Sequence, residues 1–417
     1  SIDTFNEVEK SIRANFNSAK SILSDLKKIG RIDDTIISPQ LFLDLLNHNI
    51  RDVRVETVKH LGKFKDKSVQ KEILSHYNKE KESLVRRECV SALGRQKNED
   101  HIDFFTSILK ENDPKIVLQG IRALLVFVNI PNVKKALNKI KKHPNEMIQD
   151  VLEIELSESK PRTKGEHVSV DGKLKNIVVN GDVLKILSLV KDESFHLTFT
   201  SPPYYNARDY SFYSSYNEYL EFLRSVFKET HRTTKNGRFL IVNSSPVIVP
   251  RVSRKHSSKR YPIPFDIHNF LVEDGWEFVD DIIWKKPDYS VKNRVGGFMQ
   301  HRKPLGYKPN STTEYLMVYR KKSRDLLDWN IKQYSNETIE KSKVGDGFER
   351  TNVWELKTSS DRTHSAVFPK SLCERVIKYY SFSGDLVFDP FGGSGSFGQV
   401  ASELNRNFFL TEIDNEY

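Results

Sequence analysis

The chain has 417 residues, of which 66 are Lys or Arg and 56 are Asp or Glu, so its formal net charge is +10. It contains only two cysteines, which excludes a disulfide scaffold and a cysteine-rich zinc finger, and no apolar run reaches transmembrane length, so we expect a cytoplasmic protein. The excess of positive charge favours a polyanionic partner, and the length allows two or three domains.

Residues 1–160 are predicted to form an all-helical domain built from repeats. Glycine and proline are sparse here, and apolar residues recur at helical spacing. A ten-residue pattern that begins at Val53 returns at Val85 and Ile116, at intervals of 32 and 31 residues. This interval is the size of one helix pair in an α-solenoid, and the pattern resembles HEAT repeats. A solenoid favours the binding of a large partner, and an irregular helical bundle is the alternative.

Residues 161–174 are predicted to be a linker, because the segment around Pro161 and Gly165 is polar, charged and rich in helix breakers. After it, short apolar runs alternate with amphipathic stretches through residues 175–417, which is typical of an α/β domain. The predicted strands are 176–180, 195–199, 238–243, 281–284, 314–319, 386–388 and 408–410, and the predicted helices are 183–190, 216–230, 371–380 and one between the last two strands.

The strand at 195–199 runs into the turn Thr200-Ser201-Pro202-Pro203-Tyr204. Two prolines stop a strand, because proline donates no backbone hydrogen bond and fixes φ. The turn therefore presents a hydroxyl, backbone carbonyls and an aromatic ring at the carboxyl end of a strand, where open α/β sheets bind ligands. Taken by itself, the segment fits a tight turn packed under a tyrosine equally well.

A second candidate site is the glycine turn Asp389-Pro390-Phe391-Gly392-Gly393-Ser394-Gly395, which lies between an apolar strand and an amphipathic helix. Glycines let the backbone approach a ligand closely, and the amides at a helix N-terminus favour an anionic group. Glu412 follows the next strand, where an acidic side chain can accept hydrogen bonds from both hydroxyls of a ribose. The turn is not a Walker loop, because it lacks Gly-Lys-Ser/Thr, and it departs from GxGxxG.

Together these segments resemble the β group of S-adenosylmethionine-dependent amino-methyltransferases of DNA. The glycine turn is similar to the cofactor motif of that family, and the Ser-Pro-Pro-Tyr turn, which precedes it in the chain, is similar to the catalytic motif. The stretch His364-Ser365-Ala366-Val367-Phe368-Pro369 resembles the motif that packs against the methionine end of the cofactor. Asn180-Gly181-Asp182 resembles the strand end placed near the adenine. The four motifs stand in the permuted order of the β group and cover residues 175–417.

The resemblance implies an α/β Rossmann-like methyltransferase fold with a circularly permuted motif order, preceded by the all-α HEAT-like solenoid. It implies that the strand at 176–180 completes the sheet beside the strand at 408–410, and that the cofactor is S-adenosylmethionine. The implied catalytic residues are Ser201, Pro202, Pro203 and Tyr204. The implied cofactor-binding residues are Asp182, Thr200, His364, Phe368, Pro369, Asp389, Pro390, Phe391, Gly392, Gly393, Ser394, Gly395 and Glu412.

The implied reaction is methyl transfer to an exocyclic amine of a base flipped out of double-stranded DNA. The lone pair of such an amine is delocalised into the base, so the nitrogen is a poor nucleophile. Ser201 and the Pro202 carbonyl would accept hydrogen bonds from the amine N–H groups and orient the nitrogen for methyl transfer. Tyr204 would lie against the flipped base. In this family serine at the first motif position is more usual for N4-cytosine enzymes than for N6-adenine enzymes, so N4 of cytosine is the predicted target. Neither Cys89 nor Cys373 has the Pro-Cys context of methylation at carbon 5 of cytosine.

Three alternatives stay open, and the first two are N6-adenine methylation of DNA and methylation of RNA. The third is a non-catalytic protein that binds DNA or a partner through its solenoid and carries a degenerate methyltransferase domain. Intact Ser201, Tyr204, Asp389 and Gly395 count against degeneracy. The common setting of the family is a restriction-modification system, so a cognate restriction endonuclease is a possible partner, with no stable complex implied.

Two basic loops with interleaved aromatic residues, 250–262 and 285–312, are predicted to contact DNA, and the alternative is that each is a solvated charged loop. The residues assigned to DNA are Arg251, Arg254, Lys255, Lys259, Arg260, Lys292, Arg294, Arg302 and Lys303. Residues 322–358, which are rich in aromatic side chains, are a possible but short target-recognition insert. The helical repeats are predicted to help hold DNA or a partner protein.

Overall fold

In the computed structural model, two compact units divide the chain after Lys160. The structure describes residues 2–157, 165–205, 213–291, 304–307, 309–357, 368–393 and 395–413. Within these ranges, none of the helices combines the length and the apolar composition that crossing a bilayer requires.

The first unit is helical throughout, as the sparse glycine and proline content predicts. A short 3₁₀ turn, Glu99–His101, precedes α7. The helices are α1 (Ile2–Ala14), α2 (Ala19–Leu26), α3 (Gln40–Leu45), α4 (Arg51–Leu61), α5 (Lys67–Lys79), α6 (Ser83–Arg95), α7 (Ile102–Ile108), α8 (Pro114–Leu125), α9 (Pro131–Lys139) and α10 (Glu146–Leu156).

The ten-residue repeat falls on α4, α6 and α8, which pack side by side in that order. The same three positions of each copy are fully buried: Val53, Val58 and Leu61, then Val85, Val90 and Leu93, then Ile116, Ile121 and Leu124. Each such side chain contributes about 1.5–3 kcal/mol when it is removed from water, so the repeat is the element that builds this core. A methyl group on Gly62 would lie 2.7 Å from Cβ of Ala92, so the small residues let successive helices approach closely.

The second unit combines one large sheet with helices on its faces. Its helices are α11 (Val183–Ser188), α12 (Tyr216–Thr233), α13 (Ile263–Glu273), α14 (Leu327–Lys332), α15 (Asn336–Ser342), α16 (Lys370–Tyr380) and α17 (Ser396–Glu403). Its strands are β1 (Ile177–Asn180), β2 (Phe195–Thr200), β3 (Thr234–Ser244), β4 (Val247–Val249), β5 (Lys259–Tyr261), β6 (Trp276–Lys285), β7 (Thr313–Lys321), β8 (Val353–Glu355), β9 (Leu386–Asp389) and β10 (Asn407–Glu412). Two 3₁₀ turns, Gly172–Leu174 and Asp288–Ser290, complete the described elements.

The large sheet has eight strands in the order β1-β10-β9-β2-β3-β7-β6-β8. The first five run parallel, β7 is antiparallel to both β3 and β6, and β8 is parallel to β6. The prediction that the strand at 176–180 completes the sheet is confirmed, because β1 pairs with β10 and places Asn180 opposite Glu412. The carboxyl ends of β1, β10, β9, β2 and β3 therefore meet at one edge, where ligands bind in open α/β sheets.

Apolar layers cover both faces of the sheet. Helices α16 and α17 pack on the face that carries Leu197 and Phe199 of β2. Helices α12 and α13 pack on the face that carries Leu240 and Val242 of β3. Because β2 lies between these layers, all six of its residues are buried, and its apolar run is continuous rather than alternating.

Two strands begin four or more residues before their predicted starts. β3 begins at Thr234 rather than at Arg238 and therefore continues through Gly237. Gly237 has φ of +74°, and a methyl group on it would lie 2.7 Å from the Arg320 guanidinium, so this glycine allows a close approach instead of ending the element. β6 begins at Trp276 because it pairs along the whole length of β7.

Residues 161–174, predicted to be a linker, lie inside the second unit as far as they are described. His167 is 8 % exposed, and its carbonyl accepts a hydrogen bond of 2.9 Å from Nε2 of the buried His196 on β2. The ring of His167 packs edge-on against Trp329. From residue 165 onward this segment is therefore packed against the sheet and is not a free linker.

The segment 322–358, predicted to be a possible target-recognition insert, forms α14, α15 and the edge strand β8. Tyr334 hydrogen-bonds to the buried Asp385 at 2.6 Å, and Trp354 is 3 % exposed beside β6. Both side chains therefore stabilise the core, whereas Phe348 is 51 % exposed. A role in recognition stays a prediction for the exposed part of this segment.

Candidate active site

The two predicted motifs meet at the carboxyl edge of the sheet. β2 ends at Thr200 and its neighbour β9 ends at Asp389. The Thr200 hydroxyl donates a hydrogen bond of 2.6 Å to Oδ1 of Asp389, and both side chains are buried. This bond joins the strand that leads into the Ser-Pro-Pro-Tyr turn to the strand that leads into the glycine turn.

Asp389 is held in an environment that favours its neutral form. Burial raises the pKa of the Asp389 carboxyl to about 7, and the nearby charge of Glu412 acts in the same direction. The hydrogen bonds from the Thr200 hydroxyl and the Phe391 N–H act in the opposite direction, because they stabilise the carboxylate. Near neutral pH this group therefore exists in both protonation states.

The glycine turn is shaped by backbone bonds to β10. The Gly392 N–H donates to the Thr411 carbonyl at 2.9 Å, and the Gly393 N–H donates to Oε2 of Glu412 at 2.8 Å. Gly393 and Gly395 have φ of +51° and +81°, and Gly395 is the residue from which α17 begins. A side chain other than glycine would be strained at both positions.

The open side of this turn suits a nucleoside-like ligand. A methyl group built on Gly393 or Gly395 meets no atom of the described residues within 4 Å, so a ligand can approach the backbone there. On the other side the turn is tight, since a methyl group on Gly392 would lie 2.9 Å from Cβ of Leu410. The Glu412 carboxylate lies next to Gly393 on this open side, where it can accept hydrogen bonds from the hydroxyls of a ribose. Ser394 lies outside the described residues.

Two further residues of the predicted cofactor site, Pro390 and Phe391, belong to the turn, and Phe368 and Pro369 lie before α16. Pro390 is buried, and Phe391 is half-buried with its ring 6.2 Å from that of Phe222. Phe368 stacks on Phe199 with ring centroids 4.3 Å apart, and Pro369 precedes α16. His364 lies outside the described residues.

Asp182 stands at the end of β1, next to Glu412. The N–H of Gly181 donates to the Glu412 carbonyl at 2.9 Å, which brings the two strand ends together. Asp182 is exposed, and its Oδ1 accepts hydrogen bonds from the Leu184 and Lys185 N–H groups, which caps α11. A helix-capping role therefore accompanies the predicted role at the cofactor, which stays a prediction.

The predicted catalytic residues form one turn, held from the side of α12. Ser201, Pro203 and Tyr204 are half-buried, and Pro202 is buried. The Tyr219 hydroxyl donates a hydrogen bond of 2.8 Å to the Pro203 carbonyl. This carbonyl therefore points toward α12, and the orientation of the turn is fixed.

Tyr219 and Tyr261 support the site, and the sequence identified neither in this role, since Tyr261 falls in the loop 250–262 that was predicted to contact DNA. Tyr219 lies on the buried face of α12, so its helical spacing marks it only as a core residue. Tyr261 lies 5.0 Å from Tyr205, the residue after the catalytic turn, measured between ring centroids. No motif or periodicity in the sequence links these two tyrosines.

Five of the predicted DNA-binding residues lie on the β4–β5 hairpin. This hairpin starts shortly after β3 ends, at the same edge of the sheet as the catalytic turn. All five are exposed, and none forms an ion pair with another residue that the structure describes: Arg251, Arg254, Lys255, Lys259 and Arg260. The other four predicted residues, Lys292, Arg294, Arg302 and Lys303, lie outside the described residues.

The described parts of the loop 285–312 are mixed in character. Lys285 pairs with Glu355 at 2.8 Å, and Lys286 pairs with Glu314, so both cations neutralise protein carboxylates. Tyr289 and Tyr307, by contrast, are 81 % and 73 % exposed. Exposed aromatic rings beside a basic loop are compatible with the predicted contact to a nucleic acid.

Comparison with known proteins identifies a family for each unit. A family model described as DNA methylase, of N6 and N4 methyltransferases, matches residues 195–417, which is just over half of the chain. A model of HEAT repeats matches residues 39–125 and confirms the predicted repeat type.

Several proteins of known name are similar to this chain over 57–65 % of its length. The chain is 28 % identical over 270 residues to the type II methyltransferase M.Cfr9I of Citrobacter freundii, covering 57 % of this chain and 83 % of the relative. It is 28 % identical over 273 residues to M.SmaI of Serratia marcescens, covering 58 % and 87 %. It is 26 % identical over 284 residues to the type II beta methyltransferase M.BslI of a Bacillus species, covering 65 % of this chain but only 30 % of that longer protein.

Two solved structures are also similar. A putative DNA modification methylase from Thermus thermophilus, complexed with S-adenosyl-L-methionine, has a TM-score of 0.45 and 24 % identity, and the match covers 58 % of this chain and 89 % of that one. The PvuII DNA methyltransferase, cytosine-N4-specific, has a TM-score of 0.44 and 20 % identity, with 58 % and 83 % covered. Because the family model matches more than half of its residues, this chain belongs to the family of N6 and N4 DNA methylases.

Proposed function

We propose that this protein transfers a methyl group from S-adenosylmethionine to the exocyclic N4 of a cytosine that is flipped out of double-stranded DNA. The observation that carries the proposal is the hydrogen bond of 2.6 Å between Thr200 and Asp389. It places the proline turn and the glycine turn at neighbouring strand ends, so an amine held by one turn is adjacent to a cofactor held by the other.

The residues around the glycine turn fit S-adenosylmethionine. Gly393 and Gly395 leave the backbone open to a ligand, and Glu412 supplies a carboxylate for the ribose hydroxyls. Phe391 supplies apolar surface within the turn, and Phe368 supplies it on Phe199 of the neighbouring strand β2. When bound, S-adenosylmethionine supplies an electrophilic methyl group on a positively charged sulfur.

The residues of the proline turn act on the amine. Ser201 Oγ and the Pro202 carbonyl accept hydrogen bonds from the two amine N–H groups, which turns the nitrogen lone pair toward the methyl carbon. Once the nitrogen is methylated, one of its two N–H protons leaves to water. The Pro203 carbonyl has a different task, since it accepts the Tyr219 hydroxyl and holds the turn. Tyr204 stacks on the flipped base. Positioning of this kind can supply several kcal/mol of the barrier reduction without a covalent intermediate.

Ser201 favours cytosine as the target base, on the family pattern described above. The type II methyltransferases to which the chain is similar also support a restriction-modification role, in which methylation protects DNA from a cognate endonuclease. Such an enzyme would act on chromosomal DNA in the cytoplasm of a prokaryotic cell.

The test is mass spectrometry of nucleosides from DNA of cells that express the protein. We expect N4-methylcytosine in the wild type, and N6-methyladenine would select the other amino-methylation. Ser201→Ala and Tyr204→Ala should each lower the amount of methylated cytosine in the DNA at least about 100-fold, because both groups orient the amine.

Binding of S-adenosylmethionine by the two variants, measured by calorimetry, is the control. Both variants should bind it with the wild-type affinity, because neither side chain belongs to the glycine turn. Loss of cofactor binding in both would mean that the proline turn is part of the cofactor site. Absence of any methylated base in the wild type, with cofactor binding intact, would favour a binding protein without catalytic activity.

A further inference from the structure

The β4–β5 hairpin combines an exposed basic tip with a base that touches Tyr205, the residue after the catalytic turn. Val247 pairs with Tyr261 at its base, and Val249 pairs with Lys259 next to the tip. The tip, residues 250–258, carries Arg251, Arg254 and Lys255. The two ends of the hairpin therefore face different surroundings.

The tip has the charge and exposure needed to bind an anionic surface. Its cations are exposed and make no ion pair with any other described residue, whereas acidic side chains of this chain neutralise Lys285 and Lys286 of the other basic loop. Val252, in the middle of the tip, is 94 % exposed. Unpaired cations on a protruding loop at the substrate edge match the phosphate backbone of DNA, which is contacted mainly by Arg and Lys.

The base of the hairpin is an aromatic cluster. The Tyr261 ring lies 5.0 Å from Tyr205 and 4.4 Å from Tyr216, measured between centroids. Tyr216 is fixed in turn, because its hydroxyl donates a hydrogen bond of 2.7 Å to Asp266 of α13. Tyr205 is 8 % exposed and directly follows Tyr204 in the chain. Any movement of the hairpin therefore acts on the residue next to the proposed base-stacking tyrosine.

We infer that the β4–β5 hairpin binds DNA phosphates and, through Tyr261, positions the catalytic turn. The inference rests on the proposed function and extends it, because it assigns to one hairpin both the binding of the duplex and the placement of Tyr204. Tyr261 is a positioning residue and touches neither the base nor the cofactor. Its ring packs against Tyr205, which Tyr216 and Tyr219 of α12 also contact, so α12 and the hairpin together hold the residue that follows the catalytic turn.

The experiment compares variants of the full-length protein with bound S-adenosylmethionine and unmethylated duplex DNA from a methylation-deficient host. The cation variant is Arg254→Ala combined with Lys255→Ala. Lys173→Ala combined with Lys175→Ala is its matched control, because both lysines are exposed, form no ion pair among the described residues and lie just before β1, at the opposite edge of the sheet. The positioning variant is Tyr261→Ala, and Tyr261→Phe is its conservative partner. The measurements are DNA affinity against salt concentration, the single-turnover rate at saturating DNA, and cofactor affinity.

The cation variant should bind DNA more weakly, and the slope of log affinity against log salt should fall by about one for each phosphate that is no longer bound. Its single-turnover rate at saturating DNA should stay at the wild-type value, and the Lys173→Ala, Lys175→Ala control should match the wild type in both measurements. Wild-type affinity and salt slope in the cation variant would overturn the phosphate-binding half of the inference.

Tyr261→Ala should keep its DNA affinity within about twofold while its single-turnover rate falls about 10- to 100-fold, as expected for a misplaced catalytic group. Tyr261→Phe keeps the ring and should restore the rate. An unchanged rate in Tyr261→Ala would overturn the positioning role. If Tyr261→Ala loses cofactor binding, Tyr261→Leu is measured instead, because leucine keeps apolar volume without the ring. The same changes in DNA affinity and single-turnover rate are then expected of Tyr261→Leu. A wild type that leaves no methyl group on DNA would instead contradict the proposed function.

Discussion

At the scale of single residues, Asp389 is the group on which both motifs depend. Its Oδ1 accepts hydrogen bonds from Thr200 at the end of β2 and from the Phe391 N–H in the glycine turn. Burial raises its pKa from the ordinary value of 3.8 to about 7. The folded protein therefore binds this proton more tightly than the unfolded chain does between these two pH values. The free energy of unfolding falls as pH rises through this window, by up to about 1.4 kcal/mol per pH unit.

Asp389→Asn should remove this pH dependence. Asparagine keeps an oxygen that accepts from Thr200 and Phe391, but it carries no charge at any pH in the window. We expect the variant to gain stability relative to the wild type as pH rises from 5 to 8, because only the wild type must bury a carboxylate. Thermal unfolding of both proteins across this range measures the difference. A difference in Tm that stays constant from pH 5 to pH 8 would show that Asp389 is not titrating there.

At the scale of elements, the glycine turn between β9 and α17 has two sides with different tolerances. Gly392 packs against Leu410 of β10, whereas Gly393 faces open space at φ of +51°. An alanine at Gly393 costs about 1–2 kcal/mol in backbone strain and places a methyl group where the cofactor approaches. The same turn therefore serves packing on one side and binding on the other.

Gly393→Ala should weaken binding of S-adenosylmethionine by at least about tenfold, beyond what its strain alone causes. Gly384→Ala is the matched control, because Gly384 also has positive φ, at +88°, and also faces open space among the described residues, but lies before β9 at the opposite edge. Both variants should lose similar stability in thermal unfolding, and only Gly393→Ala should lose cofactor affinity in calorimetry. Equal cofactor affinity in the two would place the ligand elsewhere.

Most elements with a long pattern or a motif could be predicted from the sequence, but the 11-residue helix α13 was missed, and so were the three-residue strands. The repeats on α4, α6 and α8 and the pairing of β1 with β10 followed from spacing and motif order. The strands β4, β5 and β8 are too short to carry a pattern, so the hairpin under the catalytic turn was missed.

Contacts between residues that are far apart in the chain could not be predicted from the sequence either. Arg238 pairs with Asp385 at 2.5 Å in the core, and Tyr334 bonds to both, although the three are far apart in the chain. This network places Tyr334 in the core, whereas the sequence suggested a role for its segment in target recognition. Tertiary contacts of this kind have no local signature.

At the scale of the whole molecule, chemistry and repeats belong to separate units with separate cores. The buried apolar residues of the helical unit form one cluster, from Phe5 to Leu152, and those of the methylase unit form three others. The sites discussed above lie wholly in the second unit. The repeats therefore contribute no residue to these sites. We expect them to bind a large partner, as stacked helix pairs commonly do.

Deleting residues 1–160 should weaken DNA binding and leave cofactor binding unchanged, because the glycine turn and its neighbours lie outside the deleted unit. DNA affinity of the full chain and of residues 161–417 is compared at two salt concentrations, and calorimetry with S-adenosylmethionine verifies that the shorter protein is folded. If the repeats hold DNA, both the affinity and its salt dependence should fall, since fewer phosphates are bound. If affinity and sequence preference are the same in the two proteins, the repeats do not hold DNA, and a protein partner is the use that remains for them.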